Sequence, residues 1–396
     1  MRILMVTDCF LPTMGGIEMV VSRLAERLVE RGHEVVVATA ADADGFDDST
    51  LPYSVVRSVW KNPFHTPVDP RAPRRFVELV EKWHPDVVHI HQGEVSPVAQ
   101  ATLLRQRRAG LPVPVVLTVH SVWSRRTTIP LFRALSAFDR RGRQQVTWTG
   151  VSRLVADRMR EAFGDIEVEV LPNGVRTQDW RRPAREHDGV VVACATRFAP
   201  RKRVLPLLDI LEAAARSLGW TPEDGWPAGR VPLRAVIAGA GGQFDAAQRQ
   251  IRDRGLAELV VLPGRLSSDQ LADLYAGADI YAAPGVQDAM VLAAAEAWAA
   301  GLAVVTRAQS GFAELIDPGV TGATAATDRD MARILARWAD DPEELGRIVA
   351  HNRSTLPSVD DSMVVPLVED VYRRAAERAA HHIAQRVRQN DARHAS

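Results

Sequence analysis

Strand-like and helix-like segments alternate along most of this chain, and that alternation narrows the possible folds more than any other feature. The run "RILMVT" (2–7) is apolar and rich in β-formers. After it, "GGIEMVVSRLAERLVERGHEVVVAT" shows two glycines, an amphipathic helical pattern, a closing glycine and a second strand. "DVVHIH", "VPVVLTVH" and "VTWTGVS" continue the series, with helical stretches between them. Strands this continuously apolar, joined by helices, belong to a parallel sheet covered on both faces.

The pattern breaks at "LPNGVRTQDWRRPAREHDG" (Leu171–Gly189), which is rich in Pro, Gly and charge and reads as a linker. A second series follows: "VVVACATRF", "LRAVIAG", "LVVLPG", "ADIYAAPG" and "LAVVTR". We therefore expect an α/β protein of two doubly wound, Rossmann-like domains, 1–175 and 190–357, with a helical tail over 358–396. "SLGWTPEDGWPAGRVP" reads as a surface insertion. Ligands of such sheets bind at the carboxyl ends of the strands, which places chemistry in a cleft that the two domains face.

Composition excludes several classes. Lys+Arg and Asp+Glu balance at 49 each, so no overall field favours nucleic acid. The two cysteines, Cys9 and Cys194, suggest neither a disulfide framework nor a zinc site. "MRILMVTDCFLP" is too short an apolar run for a signal peptide, and no segment approaches the ~20 apolar residues of a membrane span. A cytoplasmic protein is expected, with any membrane contact peripheral, at the inner face.

Four stretches could carry chemistry. In "PGVQDAMVLAAAEAWAAG" (284–301), Glu296 sits inside an alanine-rich helical run and Asp288 lies eight residues earlier, where the helix should begin. On one helix they would differ by about 80° around the axis and about 12 Å along it, sharing a broad face. The helix N-terminus could bind phosphate through backbone N–H groups, and Glu296 could accept from two adjacent hydroxyls, as on a ribose. Equally, Asp288 could cap the helix and Glu296 pair with an arginine. In "ATRFAPRKRV", Arg197 and Lys202 could stabilise a phosphoryl leaving group, or form a solvated basic turn. Lysine is scarce here (only Lys61, Lys82 and Lys202), which draws attention to Lys202. In "FLPTMGGIE", Gly15 and Gly16 permit φ > 0 and close approach of backbone to a ligand, or simply a turn. His120 ends the strand "VPVVLTVH", and His89 and His91 stand in the neighbouring "VVHIHQGE". Two further matches are discounted. "GAGGQF" lacks the third glycine of a dinucleotide fingerprint, and "DAD" (42–44) lies in a polar loop, so no metal is assigned.

Taken together, "PTMGGIEMVVSRLAERLVERGHEV", "TVHS", "PNGV", "RFAPRK", "IAGAGG", "LPGRLSSDQLADLYAGADIYAAPG" and "AAAEAWAAGLAVVTRAQSGFAELI" resemble, in order and separation, the GT-B fold glycosyltransferases of family 4. That family is retaining and metal-independent. The resemblance implies a C-terminal helix able to cross back to the N-terminal, acceptor-binding domain, and a C-terminal domain that binds the nucleotide sugar. A UDP-sugar such as UDP-GlcNAc or a UDP-hexose is favoured, with a GDP-sugar the other option; it is a co-substrate, and no cofactor is implied. Glu296 would bind the ribose and Asp288 would face hydroxyls of the transferred sugar. Arg197 and Lys202 match the pyrophosphate-binding pair, Gly15 and Gly16 the loop near donor phosphates and acceptor, and His120 the histidine beside the donor sugar. Gly264 and Arg265 would lie near the base. Met290, Val291 and Leu292 stand where the family has Phe-Gly-Leu-like residues, and Asp288 replaces its first glutamate.

Nine arginines (105, 107, 108, 125, 126, 133, 140, 141 and 143) against the single acid Asp139 between Val95 and Gln145 could meet an anionic lipid acceptor. A soluble sugar or aminocyclitol acceptor is the rival. A nucleotide-sugar hydrolase or epimerase of the same fold, and a non-catalytic nucleotide-sugar-binding protein, are the alternative functions.

Overall fold

The computed structural model describes residues 1–61, 66–136, 144–164, 166–227 and 231–394. They form two compact units: Met1–Gly174 together with the chain from Ser362 on, and Val175–Asp361. The tail set apart in the sequence as 358–396 thus falls within unit 1 from Ser362.

Unit 1 is built on strands β1 (Arg2–Thr7), β2 (Glu34–Thr39), β3 (Ser54–Arg57), β4 (Val87–Gln92), β5 (Val115–Val119), β6 (Val146–Gly150) and β7 (Val168–Val170). All pair in parallel, in the order β3-β2-β1-β4-β5-β6-β7. Helices α1 (Gly16–Glu30), α2 (Ala72–Trp83), α3 (Pro97–Ala109), α4 (Thr128–Ser136) and α5 (Arg153–Phe163) make the crossovers. Ile3 to Val6 of β1 are wholly buried, as a central strand covered on both faces must be. Val21, Ala25 and Leu28 of α1 join their core at helical spacing. The order reverses between β1 and β4, so the segments that follow these two strands flank a topological switch point, where such folds bind ligands.

Unit 2 contains α6 (Thr177–Trp180), β8 (Val190–Ala195), α7 (Val204–Ser217), β9 (Leu233–Ala238), α8 (Phe244–Asp253), β10 (Val260–Val261), α9 (Ser268–Ala276) and β11 (Ile280–Ala283). It continues through α10 (Leu292–Ala300), β12 (Ala303–Arg307), β13 (Gly322–Ala325), α11 (Asp328–Asp340) and α12 (Pro342–Ser354). Its parallel sheet runs β10-β9-β8-β11-β12-β13 and reverses between β8 and β11. The last helix, α13 (Asp361–His394), lays Val364, Val365, Val368, Val371, Tyr372 and Ala375 into the unit 1 core beside Ile3 and Met5. That spacing is one helical stripe.

One expectation needs correction and another needs detail. Leu171–Gly189 does not behave as a plain linker: Val175 and Trp180 are buried in the unit 2 core, and Asp360 accepts hydrogen bonds from the Thr177 backbone N–H and hydroxyl. The surface insertion expected at 217–232 is anchored through two of its described residues. Trp220 and Trp226 are 1% and 8% exposed and pack into the core of unit 2. Paired backbone hydrogen bonds between Thr221 and Gly225 close the loop between them.

Replacing Trp220 with alanine removes one of the largest buried side chains of unit 2. The expected cost is about 3–5 kcal/mol, the range for emptying an aromatic core site, seen as a lower denaturation midpoint. An unchanged midpoint would show that the segment does not anchor the unit.

Candidate functional site

In unit 2 the switch point brings the segments after β8 and β11 together. The β8–β11 register ends at Tyr281 opposite Ala193. Beyond it the Tyr281 hydroxyl replaces the ladder, donating to the Ala195 carbonyl at 2.9 Å and accepting from its N–H at 3.4 Å. The chain then carries Arg197, which is exposed and has no ion pair among the described residues, and buried Phe198. Phe198 is stitched to the "GAGG" turn: its N–H donates to the Ala240 carbonyl at 2.9 Å, and its carbonyl accepts from the Gln243 N–H at 3.0 Å. A Cβ at Gly239, where φ is 136°, would overlap the Thr196 carbonyl oxygen. A Cβ at Gly241, where φ is 148°, would likewise meet the Phe198 carbonyl, so Gly239 and Gly241 are required to pack the turn against the Arg197 segment, while Gly242 is not. Gly264, after β10, accepts from the Gly239 N–H at 2.7 Å, so this packing brings Gly264 and exposed Arg265 to the same end of the sheet.

A single 3-10 turn, Pro200–Lys202, ends at Arg203 in a left-handed conformation (φ 59°). Arg203 and Arg307 both bind Asp328, which fixes that bend. The bend aims Lys202 across the switch point, where its Nζ donates to Asp288 Oδ1 at 2.7 Å. Asp288 is 8% exposed, its carbonyl accepts from the Gly311 N–H at 2.8 Å, and its Oδ2 lies where a side chain on Gly285 would stand.

The expected helix geometry is wrong in one respect. Helix α10 begins at Leu292, so Asp288 lies in the preceding loop, after a left-handed Gln287 (φ 62°). The rotation and rise of a shared helix do not relate Asp288 to Glu296, and Asp288 caps nothing. Burial is the main cause that holds the Tyr281 phenol well above its ordinary pKa; Cys194, and to a lesser extent Glu296 and Asp288, add to it. Glu296 itself is 5% exposed. Met290 and Val291 are half-buried in the approach to α10, and Val291 and Leu292 form its entry. No side chain caps that entry; the Ala294 N–H donates to the Val291 carbonyl at 3.0 Å, which leaves the Leu292 and Ala293 N–H groups of the first turn for other acceptors.

Gly15, Gly16 and His120 lie in unit 1. Gly15 does not use positive φ. Its backbone is extended (φ −125°, ψ 179°), a conformation open to any residue, and the Glu18 carboxylate folds back into the space a Cβ would take. Gly16 opens α1 with free space where a Cβ would be. His120 belongs to a buried polar layer on one face of β4 and β5. Its Nε2 lies 3.0 Å from His91 Nδ1, and the His91 ring sits 4.0 Å from that of His89. His89 in turn bonds Thr118 and Tyr372 at 2.7 Å each, and Thr118 bonds Thr149 at 2.6 Å. Thr149 donates to the Leu117 carbonyl. Its proton is thus used, so Thr118 donates to Thr149, His89 Nε2–H donates to Thr118, and Tyr372 donates to His89 Nδ1.

Sequence reasoning missed Asp8 at the end of β1, whose carboxylate accepts from the Val98 and Ala99 N–H groups at the start of α3. It also missed Tyr281. Neither carries a local pattern; each acts through a contact distant in sequence. Among the nine arginines of the basic stretch, Arg125 pairs with Glu161 and Arg133 donates to the Glu161 carbonyl. Residues 139, 140, 141 and 143 lie outside the described residues.

Residues 14–179 match the model of Glycosyltransferase Family 4, and residues 176–355 match that of Glycosyl transferases group 1. The chain is similar to the GDP-mannose-dependent alpha-(1-6)-phosphatidylinositol monomannoside mannosyltransferase of Mycobacterium tuberculosis. The identity is 29% over 348 residues, covering 81% of this chain and 84% of the relative. It is also similar to one chain of the human phosphatidylinositol N-acetylglucosaminyltransferase, 24% over 374 residues, covering 88% and 72%. The crystal structure of Anabaena HepE in complex with UDP and glucose has the same fold, with a TM-score of 0.73 at 17% identity, covering 94% of this chain and 100% of that one.

The polar layer of unit 1 sets a pH dependence. Burial above all pulls His89 down to about 3, His120 to about 4 and His91 well below the ordinary imidazole value. These rings stay neutral in the folded protein but take up protons in the unfolded chain, so their stabilisation is complete above the unfolded pKa of about 6.5 and declines as pH falls below it. Asp8 works in the opposite direction. Burial raises it to about 6, so the folded form holds a proton that the unfolded chain releases, and its contribution grows as pH falls. Three imidazoles outweigh one carboxyl, at about 1.4 kcal/mol per pH unit for each uncompensated proton. Calorimetry should show Tm falling from about pH 7 to about pH 5; a flat or rising Tm would mean that the imidazoles charge within the fold.

Proposed function

The chain belongs to family 4 of the GT-B glycosyltransferases, and we propose that it moves a hexosyl or N-acetylhexosaminyl unit from a UDP-sugar to an acceptor hydroxyl with retention of anomeric configuration. The observation that carries this reading is the unit 2 switch point. Lys202, paired with Asp288 at 2.7 Å, stands there with exposed Arg197, the uncapped entry of α10 and buried Glu296.

In this reading the pyrophosphate lies on the first-turn N–H groups of α10 and on the Arg197 and Lys202 cations. Glu296 accepts from the two ribose hydroxyls, Gly264 and Arg265 adjoin the base, and Asp288 accepts from hydroxyls of the transferred sugar. In unit 1, His120 and the Gly15–Gly16 loop serve the reacting sugar and the acceptor. The bond from the anomeric carbon to the leaving phosphate oxygen breaks, and a bond to the acceptor oxygen forms on the same face. The acceptor's proton passes to the departing phosphate. The protein supplies orientation and charge stabilisation.

One observation favours a lipid acceptor over a soluble sugar or aminocyclitol. Met14, Trp60, Val95 and Leu131 of unit 1 are 53%, 49%, 81% and 57% exposed, all on segments that follow the carboxyl ends of its strands. Exposed Arg126, between β5 and α4, accompanies them. Apolar tips beside a cation suit an anionic lipid surface, and the mycobacterial and human relatives both carry phosphatidylinositol in their names. Among the described residues no helix is long and apolar enough to cross a membrane.

A thermal-shift panel of nucleoside diphosphates and their sugars should show the largest rise with UDP and UDP-sugars; a larger rise with GDP-mannose would transfer the proposal to that donor. Lys202→Ala should lower kcat by about 10²–10³, the scale of losing one preorganised donor to developing charge, and full kcat would remove Lys202 from the mechanism. Glu296→Ala should instead weaken donor binding in titration calorimetry, and unchanged affinity would contradict its ribose role. Vesicles containing phosphatidylinositol should carry the protein upward on flotation at low salt and less so at physiological salt. No flotation in either condition favours the soluble acceptor.

A further inference from the structure

Among the described residues of unit 2, only Arg203 and Gln287 have φ > 0 without being glycine, and each adjoins one member of the Lys202–Asp288 pair. An L-residue in that region bears a steric cost that glycine escapes, and it stays there only where its surroundings over-determine it. At Gln287 the restraint is Asp288 itself, held by Lys202 through its carboxylate and by the Gly311 N–H through its carbonyl. At Arg203 the restraint has to come from elsewhere.

Arg203 ends the 3-10 turn that carries Lys202 and is also the residue from which α7 starts. Val204, Leu207, Leu208 and Leu211 fix α7 in the core, so the backbone angles of Arg203 set the direction in which the turn points Lys202. No side chain caps α7 at this junction. Among the described residues the Arg203 guanidinium binds one partner, the Asp328 carboxylate, and its buried Nε has no hydrogen bond. Asp328 is free of local duty, because the Thr327 and Asp330 side chains already close the capping box of α11. It is held instead by buried Arg307, which anchors itself on the Ala325 and Ala326 carbonyls at 3.2 and 2.7 Å. An isolated exposed ion pair would restrain little; a carboxylate fixed by one arginine and turned on a second restrains the second.

We propose that Asp328 is a positioning residue for Lys202: by holding Arg203 in its left-handed conformation it keeps the Lys202 ammonium on Asp288 at the switch point. The arginine creates the need for it, since a glycine at 203 would take up the same bend unaided. The consequence for the reaction rests on the proposed role of Lys202 at the leaving phosphate.

The test reads geometry and rate separately. A crystal structure of the full chain carrying Asp328→Ala should show residue 203 outside the left-handed region and Lys202 Nζ beyond hydrogen-bond distance of Asp288. An unmoved bend with the pair intact overturns the proposal. Rates of nucleoside diphosphate release from UDP-GlcNAc, UDP-glucose or GDP-mannose, whichever the wild type turns over, should fall about tenfold to a hundredfold in kcat, the scale on which a small misplacement acts. Asp328→Asn, which keeps the side-chain volume and guards against a folding failure, should fall in the same direction. Double-mutant cycles then separate positioning from general support of α11. Added to Arg203→Gly or to Lys202→Ala, Asp328→Ala should change kcat by no more than about twofold. A fall as large in either background as in the wild type overturns the proposal. A displaced Lys202 with full kcat would instead overturn the role given to Lys202 while leaving the structural result standing, so the two failures are separable.

Discussion

A lysine and an aspartate, each largely withdrawn from water, face each other at 2.7 Å where the order of the unit 2 sheet reverses. Either charge alone would cost several kcal/mol to bury; together they are tolerable only with close geometry and with their remaining hydrogen-bonding capacity met. Much of the local backbone answers that demand. The left-handed bend at Arg203, tied down through Asp328, delivers Lys202. The left-handed bend at Gln287, the bare Cα of Gly285 and the Gly311 N–H deliver Asp288. The Tyr281 hydroxyl holds the end of β8 where the ladder stops. A pair held so firmly is preorganised: charge that develops nearby meets fixed partners rather than reorganising ones.

The interior of each sheet was legible in the sequence because a strand buried on both faces must be apolar throughout. The strands that sequence reasoning missed are β3, β7 and β13, which lie at sheet edges, where that demand relaxes. β13 is "GATA", and its Gly322 is small because the β12 carbonyl of Val304 occupies the space a Cβ would need. The candidate site was legible as a set of residues and less so as a geometry. The alanine run announced α10, but its start was placed too early, because a carboxylate near a helix start reads as a cap. The loop instead turns at Gly285 and Gln287 to serve Lys202, 86 residues away in sequence. The same blindness to distant contacts made the "GAGG" turn look like a failed nucleotide fingerprint, when Gly239 and Gly241 make room for the carbonyls of Thr196 and Phe198.

The two units bury polarity in opposite ways. Unit 2 keeps ions and pairs them. Unit 1 neutralises its polar layer, holding three imidazoles as uncharged rings, with two linked to each other and one tied to hydroxyls. A general acid or base works best with a pKa near the operating pH, and burial drives these histidines away from it. In the proposed reading, His120 is therefore suited to orient through a neutral hydrogen bond and poorly suited to exchange protons, which fits a transfer in which the departing phosphate takes the acceptor's proton.

In the proposed reading, the same physics bears on which sugar unit 2 accepts. Aspartate at 288 is one methylene, about 1.5 Å, shorter than glutamate. Its two oxygens are not equivalent: Oδ1 receives the Lys202 ammonium, while Oδ2 is pressed over Gly285. A sugar hydroxyl that donates to this carboxylate must share it with Lys202, in an arrangement the short side chain cannot relax by extending. A glutamate here would have to displace its carboxylate from Lys202 or crowd the loop at Gly285. In the proposed reading, the pairing that makes a half-buried lysine tolerable also sets how far a hydroxyl must reach, so charge burial and sugar choice are decided by one side chain.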